Sequence, residues 1–216
     1  MSIVDATELA MINELFGGAA FAADATLFAG LFTTMPLDDG TGGVEANYAG
    51  YARVSVTNNV TNFPSANPKL NGTVITFPQS TAAQVGLIKG MGWWTAAAAG
   101  TLRTYAWAND QLRPMAVGVA ATDTVFCDAA HGWALDTKVI VWAPAGVTLP
   151  TGLVAGTEYF VRAPSGASLQ LAATAGGVAI DITADGAMII ARSRFTNVNI
   201  GDTPSFAAGA FSLLMD

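Results

Sequence analysis

Charge is scarce in this 216-residue chain, with 12% of residues Asp, Glu, Lys or Arg, about half the ~25% usual in globular domains. Basic residues are the rarer kind: 9 Lys and Arg stand against 16 Asp and Glu, for a net charge of −7 and a pI near 4.4. That balance excludes an electrostatic grip on a nucleic-acid backbone. One cysteine excludes an intrachain disulfide framework and a Cys-rich zinc site. No apolar run reaches the ~20 residues a membrane helix needs, because "AAFAADATLFAGLF" and "GAMIIA" are short or interrupted. "MSIVDATELAMINELF" has no basic segment ahead of its apolar residues, which predicts folding in the cytoplasm where the chain is made.

Histidine is equally rare. His131 is the single one, so any Ser-His-Asp or Cys-His arrangement has to use it. It sits in "DAAHGWA", after Cys127 in a strand-like stretch. The plain expectation is a turn histidine bonded to backbone, with Cys127 a small buried hydrophobe. Asp38-Asp39 and the Asp181, Asp185 pair lie in or beside Gly-rich turns, where Asp serves the turn itself. A glycosidase needs two carboxylates across a sugar cleft, which this spacing does not indicate. "LDDGTGGVE" lacks the alternating ligand order of a calcium loop, and Gly90-Met91-Gly92 lacks the third glycine of a dinucleotide fingerprint. No catalytic, cofactor-binding or metal-binding residue is therefore assigned, and no cofactor is expected.

What the chain does have is apolar surface. Hydrophobic residues make up 52%, mean hydropathy is +0.44, and there are 23 glycines. Few charges with many apolar residues predict surface hidden in an assembly, since homo-oligomer interfaces are poor in charge. Asp5 and Glu8 at capping-box spacing open a helix, in which Leu9, Ile12 and Phe16 share a face and Gly17-Gly18 stops the run. After that the chain reads as β. Strand candidates are 25–35, 51–57, 73–78, 84–94 and 101–107, then "DTVFCD", "TKVIVWA", "EYFVRA", "SLQLAA", "AIDIT" and "AMIIA". The expected fold is mainly β: an antiparallel β-sandwich with one N-terminal helix over 1–115 and 193–216, plus a small inserted β-sandwich or barrel over 116–192. The apolar tail "GAFSLLMD" then returns as a strand of the first domain.

Five tryptophans stand out in so uncharged a chain. Consecutive Trp93-Trp94 on a strand point to opposite faces, so one is expected in the core and the other at a surface or interface. The candidate assembly or receptor surface comprises Leu9, Ile12, Phe16, Trp93, Trp94 and Trp133.

The stretches "ATLFAGLFTTMPLDDGTGGVE…YARVSVT", "NGTVITFP" and "VNIGDTPSFAAGAFSLLMD" resemble small bacteriophage virion proteins of the tail-fibre-like kind. The resemblance covers about 1–115 and 193–216. Residues 116–192, with "LPTGLVAGTEYFV" and "SLQLAATAGGVAIDIT", resemble another module of phage structural proteins. The resemblance implies a non-enzymatic virion protein, located in the virion, either tail-associated (fibre or tail-tip) or capsid-decorating (a cement protein). Its implied partners are copies of itself as a homo-oligomer and other virion proteins. The alternative is a module that binds a host receptor or surface carbohydrate through exposed Trp94 or Trp133.

Overall fold

The computed structural model describes residues 2–18, 20–65, 69–144, 146–210 and 212–213, with the side chains of residues 2, 110, 111, 212 and 213 left aside. The chain divides into two compact units, 1–108 with 195–216, and 109–194. It is mainly β, and every strand pairing among the described residues is antiparallel.

The first unit opens with β1 (Ser2–Ile3) and α1 (Asp5–Phe16), followed by β2 (Thr26–Thr34), β3 (Val44–Glu45), β4 (Val54–Thr57), β5 (Lys69–Leu70), β6 (Ile75–Thr76), β7 (Gly90–Trp94) and β8 (Leu102–Trp107). The β-branched and aromatic run of β2 makes it the centre of a six-stranded sheet ordered β1-β8-β7-β2-β3. One edge of β2 is shared: β4 takes Thr26–Ala29, and β3 takes Phe32 and Thr34. Alternation along β2 and β7 then builds a core on each face. Ala29, Leu31, Met91 and Trp93 pack with Phe63, Ile75 and Phe77 on one side. Phe32, Trp94, Leu102, Tyr105 and Val4 pack on the other.

Several local expectations are corrected here. The capping box does not form: Asp5 lies inside α1, Val4 precedes it in extended conformation, and no side chain caps the end. Asp5 and Glu8 instead place negative charge in the first turn, where the helix dipole favours it. The strand expected over 73–78 shrinks to β6, although Ile75 and Phe77 are both buried. The layer opposite the large sheet includes the ladder of β6 with β15 (Ser205–Phe206). The tail contributes β16 (Ser212–Leu213), which pairs with β5 in the same unit through Ser212 with Leu70 and Leu213 with Lys69. Residues 211 and 214–216 of that tail lie outside the described residues.

The second unit is a closed six-stranded barrel. Its strands are β9 (Asn109–Val119), β10 (Thr124–Cys127), β11 (Lys138–Trp142), β12 (Glu158–Ser165), β13 (Ser168–Ala172) and β14 (Gly186–Ser193). They run around the barrel as β10-β13-β12-β11-β14-β9, and β9 closes back on β10. Val125, Val139, Val141, Val161, Leu169, Leu171, Met188 and Ile190 fill the interior. "AIDIT" is not a strand. Its backbone N–H groups bond singly instead, Ile180 to the Leu171 carbonyl at 2.7 Å and Ile182 to Asp123 Oδ1 at 2.8 Å, while Ile182 is buried in the core.

Candidate functional site

α1 buries one residue, Thr7. The opposite side of the helix faces solvent with Leu9 59%, Ile12 55%, Leu15 72% and Phe16 82% exposed. At 3.6 residues per turn these positions form one stripe. A 12-residue helix with its large apolar side chains turned outward is the inverse of a helix that docks on its own core. Leu9, Ile12 and Phe16 are therefore brought together as one surface.

The tryptophans are not part of it. Trp93 is 1% exposed and Trp94 6%. The pair does point to opposite faces, but each face is a core of the same protomer, so the expected wet ring is corrected. Trp93 meets Phe63 edge to face, and Trp94 tilts against Phe32 with centroids 4.9 Å apart. Trp133, 4% exposed, belongs to the barrel core and lies against His131. None of the three offers an exposed indole for a sugar ring.

Trp94 has a second role that the sequence reading missed. Arg53 lies over its ring, 4.1 Å from guanidinium carbon to centroid. Arg53 Nε donates to Glu45 Oε1 at 2.8 Å and its Nη2 to Oε2 at 2.7 Å, a bidentate pair. Its Nη1 donates to the Ala96 and Ala99 carbonyls, clamping a turn in which Ala99 and Gly100 are left-handed. Tyr51 Oη donates to Glu45 Oε1 at 2.7 Å and accepts the Leu31 N–H at 2.9 Å. Burial and the Glu45 hydrogen bond hold the Tyr51 phenol far above its ordinary value. Glu45 and the Tyr51-Arg53 motif are thus joined into one partly buried lock, and the Glu45 carboxylate has both oxygens occupied. The signal available in the sequence was the pairing of "GTGGVE" with "YAR".

His131 is 3% exposed and engaged at both nitrogens: the Trp133 N–H donates to Nδ1 at 2.9 Å, and Nε2 lies 3.2 Å from the Ser168 carbonyl. A neutral imidazole protonated on Nε2 satisfies both contacts. Burial, with a smaller contribution from the Asp128 charge, pushes the Cys127 thiol up to about 11. Such a thiol is a poor nucleophile at neutral pH. Asp39 accepts the Thr41 N–H at 2.8 Å and the Thr41 hydroxyl at 2.7 Å, closing the turn ahead of β3 and lowering its pKa. Among the described residues, no three His, Cys, Asp or Glu side chains stand close enough together to hold a metal ion.

A second apolar surface lies outside the barrel. Val117 on β9 faces Phe126 on β10 and Ala187 on β14, and Phe126 faces Ser168 on β13. This cross-strand row carries no charge, with Phe126 48%, Val117 46% and the nearby Met115 74% exposed.

Residues 2–125 match the family model of the podophage GP4 fiber I protein gp80. The chain belongs to this family. It is a bacteriophage virion structural protein of the fibre type, and assembly with other virion components follows from that membership. The match takes in α1, the six-stranded sheet and the Glu45, Tyr51 and Arg53 lock, and ends within β10 of the barrel. No curated protein matches the chain.

Proposed function

We propose that this fibre-family protein is a non-enzymatic, tail-associated part of the virion that works by burying exposed apolar faces against its neighbours. The observation that carries the reading is the outward stripe of α1, from Leu9 to Phe16, on a chain with 12% charged residues. Leaving four large apolar side chains in water is unfavourable by roughly 1.5–3 kcal/mol for each one a partner could fully cover. The fibre label of the family favours the tail over the capsid. The engaged imidazole of His131, the raised thiol of Cys127 and the occupied carboxylate of Glu45 support a structural role for the groups an enzyme would have used.

Copies of the chain meet one another through the barrel wall. With a net charge of −7, two copies repel over most of their surface. The row Ser168, Phe126, Val117 and Ala187 brings no like charges together when self-paired. The receptor-binding alternative rested on exposed indoles at Trp94 or Trp133, and both are covered.

Antibody-gold labelling of intact particles, with copy number from quantified gel bands, tests the location. A few copies at the tail are expected. Dense labelling over the head with hundreds of copies would replace the tail reading with capsid decoration.

A further inference from the structure

Resting on the proposal that α1 is an assembly face, we infer that its occupant is an apolar groove on a different virion protein, with Lys or Arg at one end of that groove. A second copy of this chain does not fit. The outward stripe is not uniform along its length. Leu9, Ile12, Leu15 and Phe16 occupy its middle and C-terminal part. Asp5, four residues before Leu9, and Glu8, four before Ile12, lie on the same side and are exposed at its N-terminal end. The turn after β2 adds to that end, because the Asp5 N–H bonds the Asp38 carbonyl at 3.1 Å and Asp39 is exposed beside it.

No Lys or Arg occurs before Arg53 to offset Asp5 and Glu8. Arg53 is itself committed to Glu45, and Arg103, whose carbonyl accepts the Val4 N–H, to Asp24. Parallel pairing of two α1 helices sets Asp5 and Glu8 against their own counterparts. Antiparallel pairing lays them over Leu15 and Phe16 of the other copy and strips water from unpaired carboxylates. Either way a second copy is opposed by the charges that flank the apolar stripe. A groove that takes apolar anchors at i, i+3 and i+7 and presents cations to the first turn satisfies both halves of the face.

The test uses virions assembled in cells infected by phage lacking this gene and supplied with it in trans. A photo-crosslinking amino acid in place of Phe16 is expected to join this chain to a different virion protein. Asp5→Lys with Glu8→Lys is expected to cut incorporation at least ten-fold, with the chain still folded, its unfolding midpoint lowered only by the small loss of the helix-dipole contribution, and its oligomeric state in solution unchanged. Cross-linking of the chain to itself would overturn the inference and leave α1 as an assembly face. Normal incorporation of the charge-reversed variant would overturn the basic end of the groove. Normal incorporation of Leu9→Ser, Ile12→Ser, Phe16→Ser together, with no cross-link, would remove the underlying reading of α1.

Discussion

Arg53 lies over the indole of Trp94 at 4.1 Å while gripping both carboxylate oxygens of Glu45. One side chain thereby ties β3, the start of β4, the end of β7 and the 95–100 turn together. Its side chain is 9% exposed and that of Glu45 27%. Removing one partner strands the other in a poorly hydrated place, so Arg53→Ala is expected to cost about 3–5 kcal/mol. Arg53→Lys keeps the charge but loses the fork and the stack, for an expected cost of about 2 kcal/mol. Urea unfolding followed by tryptophan fluorescence reads both values. A change below about 0.5 kcal/mol for Arg53→Ala would show that the lock is not structural.

Gly30 sits at the centre of the same cluster. A Cβ there would come within 2.7 Å of Trp94 Cζ3, 2.8 Å of Glu45 Oε1 and 2.9 Å of Tyr51 Oη. Gly30→Ala is therefore expected to destabilise by about 1–3 kcal/mol through overpacking, even though alanine suits a strand better than glycine does. Thermal unfolding checks the sign, and an unchanged or raised midpoint would show that the cluster yields freely.

The Cys127 thiol gives a pH signature. Its value is raised from about 9 to about 11 by burial, so the folded chain keeps a proton that the unfolded chain releases. Stability from this group is fully present below pH 9 and is lost as pH rises through 11, by roughly 3 kcal/mol at most. Tyr48 and Tyr51, both raised, act in the same direction from pH 10 upwards. Cys127→Ala should flatten the fall between pH 9 and 11, measured as urea midpoints. Parallel profiles for variant and parent would contradict the assignment.

His131 supports the barrel by accepting the Trp133 N–H. His131→Ala leaves that donor buried without its acceptor, at an expected cost of about 1–3 kcal/mol. The unfolding transition of the barrel, followed by hydrogen exchange of β10 and β13 amides, reports it. Unchanged protection would leave the histidine without a structural task.

The β character, the helix and the strands at 26–34, 102–107 and 138–142 were legible because their apolar periodicity is local. The lock of Glu45, Tyr51, Arg53 and Trp94 was not, since no short-range pattern tells a paired carboxylate from a reactive one. β9 escaped the strand reading because Asn109, Asp110, Gln111, Arg113 and Pro114 hide its period, although barrel closure still recruits it. The exposed face of α1 was half legible. Spacing put Leu9, Ile12 and Phe16 on one side, but only the fold shows that this side is turned away from the sheet.

Phe16 and Trp93 offer a test of the proposed assembly face apart from folding. Phe16 is 82% exposed and Trp93 1%, so two aromatic candidates from the sequence fall at opposite extremes. Phe16→Ser removes no packed contact and is expected to change stability by less than about 0.5 kcal/mol. Trp93→Ala empties the centre of a core face beside Phe63 and is expected to cost about 3–5 kcal/mol. Incorporation into virions should follow the reverse order at a temperature where both variants are folded, with Phe16→Ser poorly incorporated and folded Trp93→Ala loaded normally. Chemical denaturation of the purified variants and gel quantification of purified particles give the two readouts. Equal incorporation of both would mean that α1 contributes nothing beyond its own fold.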